Sequence, residues 1–184
     1  MRVKRNPIKK PTNLSYVLWL RQCLQPEYRQ MPIFQNGSSI FVENNRGQIL
    51  LEHRTDRDEW CPPGGLQEMG ETFEEVAIRE LFEETGLKVR PGDLHLIGVV
   101  SGESRYATYP NGDQVYNNSV LYVVKKYSGR LSNDHSEVVF DGKEYLTRAE
   151  SRELRFFDPD KLPENLMDRD LIDFYIQAKK ASRI

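Results

Sequence analysis

Between Thr12 and Gln25, Leu14, Val17, Leu18, Arg21 and Leu24 recur at helical spacing, and Pro26 lies beyond the last of them. The pattern predicts an amphipathic helix capped by Thr12 or Asn13. Trp19 and Leu20 lie off that stripe, so this helix is expected either to pack on two sides or to meet a second subunit in a homodimer. After Pro32 the period changes. Phe34 to Glu43 reads as a strand, ENNRGQ as a turn, and Gln48 to Arg54 as the antiparallel partner, a β-hairpin. From Thr72 to Thr85 there is no Gly or Pro, most residues are good helix formers, and Gly86 stands where a C-terminal cap belongs. At about 100° per residue, Ile78, Leu81 and Phe82 share one side of this helix and are its expected core face. Glu80, Glu83 and Glu84 converge on another side.

Leu94 to Gly102 and Gln114 to Lys126 are further strands, rich in Val, Leu, Ile and Tyr, with a turn at Pro110, Asn111 and Gly112 between them. Residues 127 to 152 are polar and read as a loop bordering the site, before another strand at Glu153 to Phe157. A last helix carries Leu171, Phe174, Tyr175 and Ala178 on its inner stripe, with Asp168 and Asp170 near its start and Lys179 and Lys180 near its end, matching the helix dipole. Helices and strands alternating around one core argue for α/β, a layered α/β/α sandwich with a mixed sheet plus N-terminal and C-terminal helices.

Composition narrows the field. A chain of 184 residues with 38% hydrophobic residues suits one globular domain with some decoration. The expected division is a basic flexible tail at 1–11, a helical segment at 12–30 and one main domain at 31–184. Net charge is −2, which gives no general attraction to nucleic acid or anionic membrane, although Arg2, Lys4, Arg5, Lys9 and Lys10 make the tail basic. No apolar run approaches the roughly 20 residues that span a bilayer. No membrane or DNA partner is expected, and a cytoplasmic location is. Cys23 and Cys61 have no CxxC spacing and the three histidines are scattered, which argues against zinc.

Three carboxylates on one helix face can be a solvated acidic surface, where like charges cost only about 0.2–0.5 kcal/mol per pair. In a sheltered cleft, charges about 5 Å apart would repel by roughly 3 kcal/mol at an effective dielectric near 20, and a cation is needed. Carboxylate oxygens favour hard ions, and Mg²⁺ is usually shared between a few carboxylates, waters and phosphate oxygens. Just upstream, EWCPPGG stiffens the approach with Pro62 and Pro63 and frees it at Gly64 and Gly65. Such a loop can offer a carbonyl to a metal and N–H groups to a phosphate.

The stretch GLQEMGETFEEVAIRELFEETGL, residues 65 to 87, resembles the Nudix box GX5EX7REUXEEXGU, with U aliphatic, at every fixed position. Chance agreement at the invariant residues is on the order of one in 10⁸ per chain. The resemblance extends to the WCPPGG lead-in and covers about Ile33 to Leu162. It implies hydrolysis of a nucleoside diphosphate linked to another group, with Mg²⁺ or Mn²⁺ and water as nucleophile. Position by position, it makes Glu83 and Glu84 metal ligands with the Gly65 carbonyl, Glu80 a ligand or the base, and Arg79 and Glu71 the residues that orient the carboxylates. A late glutamate, Glu150 or Glu153, is a further candidate ligand. Arg54 and Arg57 are candidates for phosphate, the neighbouring Trp60 for a further substrate contact, and Tyr106, Tyr109 and Tyr116 for a nucleobase. The expected substrate is a small nucleotide. The alternatives are the 5′ end of an RNA and a nucleotide-sensing module without catalysis.

Overall fold

The computed structural model describes residues 16–28, 30–109, 112–134, 136–140, 145–149 and 151–181. In chain order the elements are α1 (Tyr16–Cys23), β1 (Ile33–Val42), β2 (Ile49–Arg54), β3 (Trp60–Cys61), β4 (Gly64–Leu66) and α2 (Phe73–Thr85). Then come β5 (Leu87–Lys88), β6 (His95–Val100), β7 (Tyr106–Thr108), β8 (Gln114–Val124), β9 (Ser128–Gly129), β10 (Ser136–Phe140), β11 (Tyr145–Ala149), β12 (Ser151–Phe157) and α3 (Arg169–Lys180). The basic tail, the Thr12 and Asn13 cap candidates, Leu14 and Glu150 lie outside the described residues.

The central sheet runs β4-β1-β8-β6, with β7 on the other stretch of β8. It is mixed: β1 and β8 are parallel and the remaining pairs are antiparallel. Because side chains alternate along a strand, β1 feeds two cores. Ile40 and Val42 meet Ala77 and Leu81 of α2 on one face, together with Val120, Tyr122 and Val124. Phe41 meets Leu171, Ile172 and Tyr175 of α3 on the other, with Leu121 and Val123. This is the α/β/α sandwich that the alternation of elements predicts. No helix among the described residues is long and apolar enough to cross a membrane.

Three expectations need correction. The hairpin of β1 and β2 does not extend: the two strands touch at a single bridge, Glu43 to Ile49. β2 then joins a separate sheet of order β12-β2-β3, because β1 already pairs with β8 along its length and with β4 on its other edge, and Leu50 and Leu51 still reach the two cores. The core face of α2 is Val76, Ala77, Leu81 and Thr85, whereas Phe82 is 42% exposed. The stripe follows i, i+4 steps from Ala77, which places Glu84 on the inner side and rotates Phe82 out. Finally, 127–152 is not simply a loop, since β10 and β11 form an antiparallel hairpin there.

The C-terminal helix keeps its inner stripe, with Leu171, Tyr175 and Ala178 buried. It also anchors a charge inside the protein. The Tyr175 hydroxyl donates to Glu43 Oε2 at 2.6 Å and Lys179 Nζ donates to the same oxygen at 2.9 Å. Burial pushes the Glu43 carboxyl up, but these hydrogen bonds and the Lys179 charge outweigh it and hold it below the ordinary range.

Candidate active site

Local chemistry aims the helix that carries the acids. The Thr72 hydroxyl accepts from Glu75 N at 3.2 Å while Glu75 Oε2 accepts from Thr72 N at 2.8 Å, a capping box that satisfies otherwise orphaned N–H groups. Gly86, at φ 72°, closes the other end and returns its N–H to the Phe82 carbonyl. Ser38 of β1 donates to the Phe73 carbonyl at 2.7 Å, so the first turn is fastened to the central sheet. The WCPPGG loop reaches the same place from the other side: Gly64 and Gly65 pair with Ser39 and Ser38.

Two carboxylates of α2 close on that loop. Glu84, 1% exposed, accepts from Gly64 N at 2.8 Å through Oε2. The Glu80 carboxylate lies so near the Gly65 Cα that an added Cβ would overlap it. The residue type at 65 is therefore set by contact with an acid. Glu83 is half exposed and faces Arg79 instead. Arg79 gathers the rest: Nε and Nη2 donate to the two Glu71 oxygens at 2.7 and 2.9 Å. Its Nη1 donates to Glu80 at 2.6 Å and to Glu83 at 3.0 Å, and its Nη2 also donates to the Leu66 carbonyl at 3.0 Å. Glu71 in turn accepts from Glu68 N at 2.9 Å. Hydrogen bonding to Glu71 above all, with the charge of Glu80 beside it, holds the Arg79 guanidinium firmly protonated.

The donor set fits a hard divalent ion in kind, since Glu80 and Glu84 present carboxylate oxygens on either side of one glycine pair, and the cradle at Gly65 exists only without a Cβ. Among the described residues, no three His, Cys, Asp or Glu side chains already stand in metal-holding geometry, and Arg79 engages both Glu80 and Glu83. Loading such an ion would require Glu83 or Glu80 to exchange part of its ion pair for it.

The remaining candidates separate. Arg54 is mostly buried, with Nε donating to Asp56 at 2.7 Å and Nη1 3.6 Å from Glu52. Arg57 lies over the Tyr109 ring at 6.0 Å, and the Tyr109 hydroxyl donates to Gln35 Oε1 at 3.1 Å. These three therefore meet on the α3 face of the sheet, to which Gln35 and its register partner Asn117 belong. Tyr106 and Tyr116 are register partners and share the opposite face with Phe34, at ring separations of 5.3 and 5.4 Å. Trp60 is buried, stacked on His53 at 4.6 Å and crossed by Phe157, so its ring is spent on its own chain. Glu153 is engaged by Arg155.

Sequence reasoning missed Glu52 and Cys61. Glu52 is fully buried on β2, and Cys61 Sγ donates to its Oε1 at 3.3 Å. Burial, and then the charge of Glu52, pushes the Cys61 thiol well up, so it is a neutral donor. An acid inside the apolar run ILLEHR was the available signal. Arg105 was missed too: it is buried, donates to the Asn117 carbonyl at 2.9 Å and pairs with Asp168 and Asp170 at 2.7 and 2.9 Å. It thereby pins the segment before β7 to the start of α3.

Known proteins share both sequence and fold with this chain. The chain is 44% identical over 54 residues to a putative 8-oxo-dGTP diphosphatase of Bacillus subtilis, covering 29% of this chain and 36% of that protein. It is 29% identical over 133 residues to an ADP-ribose pyrophosphatase of Methanocaldococcus jannaschii, covering 71% and 66%. It thus spans about a third of the first of these curated relatives and just under two thirds of the second. A crystal structure of a MutT NUDIX hydrolase from Burkholderia pseudomallei superimposes with a TM-score of 0.57 at 22% identity, over 76% of this chain and 96% of that one, which shows a shared fold. The model of the NUDIX domain matches residues 34–176, most of the chain and all of the site just described, and the protein therefore belongs to the Nudix family.

Proposed function

We infer that this protein is a Mg²⁺-dependent pyrophosphohydrolase that cleaves the diphosphate of a small nucleotide by attack of water, with Mn²⁺ as an alternative ion. The observation that carries the reading is the closure of Glu80 and Glu84 on the Gly64–Gly65 loop while Arg79 holds Glu71, Glu80 and Glu83 in one network. Glu83, Glu84 and the Gly65 carbonyl would hold the ion. A divalent ion bound there supplies positive charge opposite the phosphate oxygens and eases loss of a proton from the attacking water.

The chain's own residues do the rest. Glu71 and Arg79 orient the acids, as partners behind a ligand commonly do. A carboxylate of the box that is not engaged with the ion accepts the water's proton, and Glu80, held against the loop, is the assigned base. Arg57 and Tyr109, with Gln35 and Asn117 beneath them, form a polar and aromatic group suited to a nucleoside. Arg54, fixed by Asp56 and Glu52, supports the loop that carries Arg57 and adds positive charge for phosphate.

A second reading has its own support. Phe34, 73% exposed, with Tyr116 and Tyr106 makes an open aromatic row of the kind on which single-stranded bases stack, each worth roughly 1–3 kcal/mol. That row favours the 5′ end of an RNA as the alternative substrate. A panel assay with Mg²⁺ separates these readings, using nucleoside triphosphates, nucleotide sugars, dinucleoside polyphosphates and 5′-triphosphorylated RNA, with Glu84→Gln as control. Turnover of a small nucleotide that is abolished in the control supports the main reading, and turnover of RNA alone replaces it. Inactivity of the folded protein on every substrate would leave the sensing module.

A further inference from the structure

The far end of the β1 and β8 pair differs in charge from the box end. Asn44 lies five residues beyond Ser39, about 16 Å along an extended strand. There a cleft of about 610 Å³ has Asn44, Arg46, Gln48, Lys125, Lys126, Tyr127 and Phe156 in its lining. Three cations thus converge in a protein whose net charge is −2. Glu43, 3.9 Å from Lys125, is committed to Tyr175 and Lys179. Among the described residues the Arg46 guanidinium has no acidic partner, and Lys126 interacts only electrostatically, with Asp93, an acid that Arg90 holds at 2.7 Å.

The cleft is built on a fastened turn. Asn44 Oδ1 accepts from Arg46 N at 2.9 Å and Gln48 N at 3.1 Å, Asn44 Nδ2 donates to Gln48 Oε1 at 2.9 Å, and Lys179 donates to the Gly47 carbonyl at 3.3 Å. Tyr127 and Phe156 are half-buried and packed against the core, so their rings are held in place as walls. Arg46 on this turn and Lys125 and Lys126 just past the end of β8, beside Tyr127 and Phe156, offer what a nucleotide needs: cations for its phosphates and an apolar surface for its base. The volume falls within the 300–1,000 Å³ usual for small-ligand pockets.

The geometry points to this cleft as a second site, separate from the box, for a phosphate-bearing nucleotide bound without a divalent ion. A ligand here contacts none of the box residues, and its binding does not depend on hydrolysis at the box. The two sites separate by their need for metal: with chelator present, the carboxylates of the box repel a nucleotide polyphosphate, whereas the basic cleft retains it.

The test is calorimetric titration of ATP into the intact protein in EDTA at low salt, repeated with Glu84→Gln and with R46E/K125E/K126E. One saturable site is expected in the first two proteins, weakened about 30-fold or more by charge reversal, which is about 2 kcal/mol at about 1.4 kcal/mol per factor of ten. The milder K125A/K126A pair, of unchanged melting temperature, should weaken binding in the same direction. The site is refuted if EDTA abolishes saturable binding, or if charge reversal leaves it unaltered. Tripolyphosphate binding as tightly as ATP would overturn the nucleotide assignment, as would an oligonucleotide whose affinity grows with its length.

Discussion

Two acidic clusters in this protein are treated in opposite ways. At the α3 side, one carboxylate, Glu43, receives a phenol and an ammonium, and nothing about it is left to change. At the box, one guanidinium contacts three carboxylates, those of Glu71, Glu80 and Glu83, while Glu84 is buried one turn away against a backbone N–H. A buried charge that serves the fold is matched by local partners, because leaving it unmatched costs several kcal/mol. Acids crowded around a shared cation are instead arranged to accept another, and the contrast separates a structural carboxylate from the set proposed here as catalytic.

The largest effect expected is at Glu84. Glu84→Gln keeps an oxygen to accept the Gly64 N–H, so folding should be nearly unaffected, while hydrolysis of the best substrate should fall about 10³-fold, as when a directly acting electrostatic group is lost. Steady-state rates beside thermal melting test this, and a loss of stability matching the loss of rate would erase the contrast. Next come the two glycines. In Gly65→Ala the new methyl meets the movable end of Glu80, so the protein should fold but turn over about 10²-fold more slowly, the usual result of misplacing a catalytic group by about 1 Å. In Gly64→Ala the methyl meets the Ser38 backbone carbonyl at φ 156°, and stability should fall by about 2–3 kcal/mol. Denaturant melts and rate measurements on both variants would show whether the split between site and fold is real.

On the matched side the changes are smaller. Tyr175→Phe keeps the stack on Phe41 but removes one donor from Glu43, and should cost about 1–2 kcal/mol of stability with no change in rate. The last prediction concerns acid. Glu43 titrates below its unfolded value of 4.5, so the unfolded chain takes up its proton first as pH falls. Its contribution is complete above that pH and is lost as pH drops through the folded value. Glu43→Gln should flatten the acid limb of a stability-against-pH curve, measured by urea melts at intervals from neutral pH to pH about 3. An unaltered limb would mean that other carboxylates govern acid unfolding.

Much of the site could be read along the chain because the box is local. Thr72, Glu75 and Gly86 mark the ends of α2 through contacts spanning three or four residues, and the spacing of Glu80, Glu83 and Glu84 follows from helical pitch alone. Contacts between distant segments were less legible. Tyr106, Tyr109 and Tyr116 look equivalent in sequence, yet Tyr109 faces Gln35 and Arg57 while Tyr116 lies between Tyr106 and Phe34. The alternation of β7 and β8 against β1 decides that. Phe82 was expected inside because apolarity was weighed above rotation: the helix is turned so that Leu81 meets the sheet and Glu84 meets Gly64.

By itself the order of residues determined the helix of acids, the stiff glycine loop before it, the layered arrangement of helices on a sheet and the family, since each depends on nearest-neighbour geometry or on hydrophobic period. Only the tertiary structure decided that Glu80 lies against Gly65, that Arg79 binds three carboxylates at once, and that Glu52 and Cys61 lie buried behind the loop. The reason is physical: a carboxylate's role is set by which charges and donors surround it. Those are brought together by strand register and helix rotation across dozens of intervening residues.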